Sequence, residues 1–197
     1  MSALMERTVS QSIGRINHLS ALYAKYMIPW KIGFSVSSQR ESALGMGFTL
    51  AAALDVLPKS AKVEVAELVP GVLKWNREIL GVCAGEPLTD IRVEVTVSDV
   101  GDVINRASGE YDAIILDVDN GSEGLTHPEN DDLHSLVGLE AAYHALRKSG
   151  VLAVWSAAPA ARFTTLLMKA GFNVKERRVR AHNGKGARHV IWLATRD

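Results

Sequence analysis

The sequence predicts an α/β fold: a mainly parallel sheet with helices on both faces and an antiparallel hairpin at the C-terminal end. Three observations carry this. Between residues 62 and 171, runs rich in β-branched and aliphatic residues alternate with segments of helical period. The run "AIIL" at 113–116, bounded by Asp112 and Asp117, reads as a strand buried on both faces. The last two apolar segments have no helix between them, so they are expected to pair antiparallel.

The composition bounds the class. With 197 residues the default is one domain. A hydrophobic fraction of 47% against 22% charged residues suits a soluble chain with a substantial core. The 22 basic and 22 acidic side chains cancel, so no global charge argues for nucleic acid or an anionic membrane as partner. A single cysteine, Cys83, excludes an internal disulfide framework and fits a reducing compartment. No run nears the roughly 18 apolar residues of a membrane span, and the first dozen residues are too polar for a secretory signal. A cytoplasmic location is expected.

In chain order, Ile13, Ile16, Leu19, Tyr23 and Tyr26 fall on one face of an amphipathic helix over 9–27, which Pro29 ends. "WKIGFSV" at 30–36 has the character of a short strand, and "SSQRES" is loop-like. Residues 48–57 have helical character up to Pro58. A strand is expected in "KVEVAELV" (62–69), a helix over 71–81 and a strand over 91–99. "VGDVINRA" predicts a short helix and "YDAIILDVD" (111–119) the clearest strand. The pattern predicts a helix over 132–150 with a basic last turn and Gly150 as its stop. A strand (151–158), a helix (161–171) and two strands joined through "HNGKG" complete the chain. The expected organisation is an N-terminal helical appendage (1–40) on a main domain (41–197).

In an open parallel sheet, ligands bind outside the carboxyl ends of the strands. Three successive predicted strands end there in a carboxylate: Glu67, Asp99, and Asp117 followed by Asp119 and Asn120. One such group can accept both hydroxyls of a ribose, the next an exocyclic amine, and a third can attract a cation or orient an amine. Aspartate also ends strands simply because it favours turns, but three in order favour a nucleoside site. The Gly45-Met46-Gly47 turn runs into a helix. Glycines let the backbone pass close to a ligand, and a helix N-terminus offers N–H groups. Alone it is a weak signal.

In this order, "LGMGFTLAAALDVLP", "VEVAELVPGVLKWNRE", "VEVTVSDVGDVI", "YDAIILDVDNGSEGLT" and "LRKSGVLAVWSAAP" resemble the spermidine synthase-like branch of the class I S-adenosylmethionine-dependent methyltransferase fold. The resemblance covers about residues 44–197 and implies a Rossmann-like domain. It implies that Gly45, Met46 and Gly47 pass the amino-acid part of the cofactor, that Glu67, followed by Leu68, meets the ribose hydroxyls, and that Asp99 and Val100 bracket the adenine. It further implies that Asp117, helped by Asp119, orients and deprotonates an attacking amine. The implied co-substrate is S-adenosylmethionine or its decarboxylated form, with no metal, and the implied reaction is aminopropyl transfer to a small amine acceptor. Methyl transfer and a non-catalytic partner subunit are the alternatives. The aminopropyltransferase signature reads Asp-Ser-Ser-Asp-Pro where this chain has Asp117-Val118-Asp119-Asn120-Gly121, and Thr49 stands where a third small residue is usual. Only Ala43 and Leu44 separate the polar "SSQRES" from Gly45, where the family has a buried strand.

Other residues carry weaker signals. His127 and His134 lie near Asp131 and Asp132 without a zinc-like spacing. Glu123 and His127 sit in the expected loop over the site and are minor catalytic candidates. The basic segment 175–189 reads as a solvated hairpin edge. Trp75 and Trp192 fit core positions; Trp155 ends a strand near the cleft, with core packing favoured over lining it, and Cys83 fits no reactive pattern. The helix over 9–27 suits packing on its own domain or in a homodimer.

Overall fold

The computed structural model describes residues 32–35, 44–117, 133–156, 161–182 and 185–197. The expected helix over 9–27, the candidates Asp119, Glu123 and His127, and the centre of the hairpin turn at 183–184 lie outside these residues.

Seven strands form one sheet in the order β3-β2-β1-β4-β5-β7-β6. They are β1 (Ile32–Ser35), β2 (Val63–Ala66), β3 (Val93–Thr96), β4 (Tyr111–Asp117), β5 (Leu146–Ser156), β6 (Asn173–His182) and β7 (Lys185–Thr195). The first five pair in parallel. β7 runs antiparallel between β5 and β6, as the missing helix before it requires. The segment "KIGFSV" therefore does supply a strand, and it is the central one: Phe34 pairs with Val65 on one side and Ile115 on the other. The sheet therefore already includes 32–35, ahead of the glycine turn.

The helices are α1 (Phe48–Val56), α2 (Pro70–Trp75), α3 (Val100–Arg106), α4 (Leu136–Ala145) and α5 (Ala161–Lys169). Alternation along β4 assigns them to faces. Ala113 and Ile115 point into a core with Leu50 and Leu54 of α1 and Val72 and Leu73 of α2. Ile114 and Leu116 point into the other, with Val103 and Ile104 of α3, Leu139 and Ala142 of α4, and Phe163 and Leu167 of α5. A strand covered on both faces has no polar alternation, which is why "AIIL" is continuous.

Three expectations change. The helix expected to run to Gly150 ends at Ala145, and β5 begins at Leu146. The reason is tertiary: Leu146 is fully buried and pairs with Tyr111. The Arg196 guanidinium then donates to the carbonyls of Tyr143 and His144 at 3.1 Å and to that of Leu146, occupying acceptors at the helix end. The expected helix over 71–81 is in fact α2, then a π-helical turn at Asn76–Leu80 and a 3-10 turn at Gly81–Ala84. Trp75, expected in the core, is 54% exposed, because Val72, Leu73 and Asn76 take the inner face. Trp192 is fully buried and donates to Thr164 Oγ1 at 2.9 Å.

A polar clamp ties the end of α1 to β3. The Arg92 guanidinium donates to Leu54 O at 3.0 Å and Leu57 O at 2.9 Å, and holds Asp90 through bonds of 2.7 and 2.9 Å. Arg92→Ala is expected to lower unfolding stability by about 2 kcal/mol, measured in urea, since several part-buried acceptors lose their donor. Lysine should recover little, because one ammonium cannot span the fork. The Asp90 carboxyl is lowered from 3.8 to about 2, first by its side-chain hydrogen bond from Arg92. A depressed folded-state value means that this contribution is complete above the unfolded value. It is lost as pH falls from near 4 through about 2.

Across the sheet, Glu64 Oε1 accepts from Thr96 Oγ1 at 3.0 Å and Oε2 from the Tyr111 phenol at 2.6 Å. Burial first, and this bond second, push the Tyr111 phenol well above its ordinary value. Between Glu64 and Ile114 on the paired strands stands Gly33, which has no side chain.

Candidate active site

The parallel strands deliver their carboxyl ends side by side. After β1 the chain turns to β2 and β3 on one side, and later to β4 on the other. The switch in strand order therefore falls between β1 and β4. A crevice opens there in such sheets. Glu67 follows β2, Asp99 follows β3, Asp117 closes β4, and Trp155 stands beside Asp117 in register on β5.

The glycine turn is fastened to this edge. Glu67 is 1% exposed, and its two carboxylate oxygens accept from Leu44 N and Val69 N, each at 2.8 Å. The first bond crosses 23 residues and fixes the turn at the end of β2. Gly47 N donates to Leu44 O at 2.8 Å, and Ala51 N to Gly47 O at 2.9 Å, so the turn leads directly into α1. Both glycines have positive φ, 51° at Gly45 and 79° at Gly47. Beyond the Cα of Gly45 there is open space, whereas a Cβ on Gly47 would lie 2.9 Å from Pro87 Cγ. Gly47→Ala is expected to cost at least about 2 kcal/mol by adding this clash to left-handed strain, and Gly45→Ala only the strain. Thermal unfolding of the pair checks the difference.

Asn76 supports the turn from behind. Its Nδ2 donates to Gly45 O at 2.7 Å and to Val72 O at 3.0 Å. The residue is 4% exposed, and its buried Oδ1 has no hydrogen-bond partner. The sequence held a signal for it: a polar residue four positions after Val72 on an otherwise apolar helix face. The π-turn that begins at Asn76 had none.

The other expected residues are placed as follows. Met46 is half-buried at the turn and Leu68 is 53% exposed beside Glu67. Asp99 caps α3, its Oδ1 accepting from Gly101 N at 2.7 Å. Val100 is 3% exposed and packs in the core with Val103 and Ile104. Asp117 is placed by its backbone pairing with Trp155. The Trp155 indole stacks on His189 with centroids 4.9 Å apart. Thus Glu67 is linked to the glycine turn through Leu44, while Asp99 and Asp117 reach the same edge on strands either side.

Among the described residues, no group of three His, Cys, Asp or Glu side chains converges as a metal site would require. His134 is buried against Phe163, their rings 5.7 Å apart. No described helix is long and apolar enough to cross a membrane. A cleft of about 460 Å³ lies between Lys59–Glu64 and Ile91–Glu94, at the opposite ends of β2 and β3. It is remote from every strand-end carboxylate and is not the candidate site.

A central parallel sheet, a glycine turn tied to an acid after β2 and a final antiparallel hairpin define a Rossmann-like domain. Residues 66–188, well over half of the chain, match the S-adenosyl-L-methionine-dependent methyltransferase family, and the chain belongs to it. The matched segment starts one residue before Glu67 and leaves the glycine turn outside it.

Solved structures share the fold at low identity. A spermidine synthase in complex with the transition-state analogue AdoDATO is 16% identical, with a TM-score of 0.66 over 93% of this chain and 59% of that one. The spermidine synthase from Thermotoga maritima is 18% identical, with a TM-score of 0.62 over 86% of this chain and 53% of that one. The chain thus spans little more than half the length of these enzymes. The 1,6-didemethyltoxoflavin-N1-methyltransferase of Burkholderia thailandensis, solved with S-adenosylhomocysteine, is 16% identical, with a TM-score of 0.61 over 100% of this chain and 91% of that one. No curated protein sequence matches the chain.

Proposed function

We propose that the chain binds S-adenosylmethionine across the ends of β2, β3 and β4 and transfers its methyl group to a small nucleophilic acceptor. The observation that carries this reading is the bond from Leu44 N to Glu67, which brings a glycine turn against a strand-end acid within the methyltransferase family. The residues present fit such a cofactor. Each Glu67 oxygen accepts one backbone N–H, and a carboxylate oxygen can accept more than one hydrogen bond, as a ribose hydroxyl would require. Open space beyond Gly45 leaves room for the backbone to be approached. Asp99, held by Gly101 N, presents its carboxylate at the neighbouring strand end, where an exocyclic amine can be read.

When bound, the cofactor supplies a methyl group on a positively charged sulfur. The chain's work is then positional. Asp117 at the switch point accepts the proton of the incoming nucleophile, and the held ends fix the approach. The acceptor is a small molecule in this reading.

Aminopropyl transfer from the decarboxylated cofactor is the second reading. It is favoured by Asp117, an acid at the end of β4 where an attacking amine would need its acceptor. Calorimetry with S-adenosylmethionine, its decarboxylated form and methylthioadenosine tests the shared reading; well-folded protein giving no heat with any of them would refute it. Product analysis after incubation with putrescine and the decarboxylated cofactor separates the two. Spermidine means aminopropyl transfer.

A further inference from the structure

We infer that Asn76 is a positioning residue for the cofactor, acting through the Gly45–Met46 peptide; this rests on the proposed cofactor site. Stability alone gives little reason for an asparagine here. Its neighbours on the inner face, Val72 and Leu73, are buried and apolar. A buried amide carbonyl without a donor is unfavourable, so Oδ1 offsets much of what the Nδ2 bonds contribute. A leucine would fill a similar volume without that cost.

The amide instead sets the orientation of one peptide group. The 2.7 Å bond fixes the Gly45 carbonyl toward α2. A trans peptide is planar, with its C=O and N–H opposed. Holding the carbonyl inward therefore turns the Met46 N–H outward. That side is the open one: Gly45 is exposed, and nothing lies within 4 Å of where its Cβ would be. The second bond, to Val72 O at 3.0 Å, anchors the amide to its own helix. The helix departs from α geometry at this residue, where Asn76 begins the π-turn. Such insertions occur often at functional sites. Oδ1 also lies 3.3 Å from the Cβ position of Gly47, so the same amide borders both glycines. The group it prepares is a backbone donor, suited to an oxygen acceptor on the cofactor such as a carboxylate or a hydroxyl.

The test uses Asn76→Leu and Asn76→Ala, with S-adenosylhomocysteine binding followed by calorimetry and unfolding temperature measured alongside. The wild-type protein is titrated first; if it does not bind, the cofactor site and this inference fall together. With wild-type binding established, both variants are expected to bind about tenfold more weakly, the loss of roughly one oriented hydrogen bond. Asn76→Leu should do so without a lower unfolding temperature, which a merely structural residue would not show. The backbone amides of 44–47 should exchange with solvent faster, and those of β4 and β5 at the wild-type rate. Turnover at saturating cofactor should stay near wild type, so the effect falls on KM for the cofactor. Asn76→Ala carries the same expectation should the leucine variant fail to fold. Wild-type affinity in either folded variant overturns the inference while leaving the cofactor site standing.

Discussion

Glu67→Gln is expected to weaken S-adenosylhomocysteine binding by about 100-fold and to destabilise the protein by about 2 kcal/mol. The side chain is 1% exposed and each oxygen accepts a backbone N–H, one from Leu44 and one from Val69. Glutamine has one acceptor oxygen, so one of these N–H groups would face an NH₂ instead. If Leu44 loses its partner, the glycine turn loses this tie to the end of β2; if Val69 does, the approach to α2 loosens. The ribose would also meet a neutral group where the anion had been, and bonds to charged groups are the stronger ones. Calorimetry reads the first effect and denaturant unfolding the second. A variant that is destabilised yet binds as wild type would show that Glu67 is only a structural anchor.

Asp117→Asn is expected to reduce turnover by about 10² to 10⁴-fold, the range for loss of a positioned proton acceptor, and to leave cofactor affinity nearly unchanged. The two strand-end acids thus separate into roles. In the proposed site Glu67 follows β2 and holds the glycine turn through Leu44, whereas Asp117 lies beyond β1 from it, beside β5. An amide at 117 keeps the shape and removes the basicity. Turnover that survives in Asp117→Asn would move the proton-accepting role to another residue.

Much of the fold was legible because periodicity reports burial. The run Ala113–Leu116 is apolar throughout since both faces of β4 are covered, and the final hairpin declared itself by the missing helix. What the pattern hid was set by partners distant in sequence. Ala142–Ala145 continue into "LRKSG" as a plausible helix, but pairing of Leu146 with Tyr111 and the carbonyl bonds of Arg196 end it. Trp75 reads as core by composition, yet the inner face of its helix goes to Val72, Leu73 and Asn76. "KIGFSV" carried a weak strand signal because it is so short: among the described residues, four of it, Ile32–Ser35, pair in the sheet. The strand-end acids were legible individually. Their linkage was not: the Leu44–Glu67 bond spans 23 residues, and Asn76 meets Gly45 across 31.

The Glu67 anchor also makes ligand and fold thermodynamically inseparable. The carboxylate that would receive the ribose is the one that holds the turn closed, so the unfolded chain has no equivalent place for the ligand. Occupancy then adds to unfolding free energy by mass action, about 2.7 kcal/mol at a concentration 100 times Kd. Melting temperature thus becomes a ranking scale for nucleosides and sulfonium compounds. It needs no acceptor and no turnover, and it measures the cofactor half of the reaction before the other half is known.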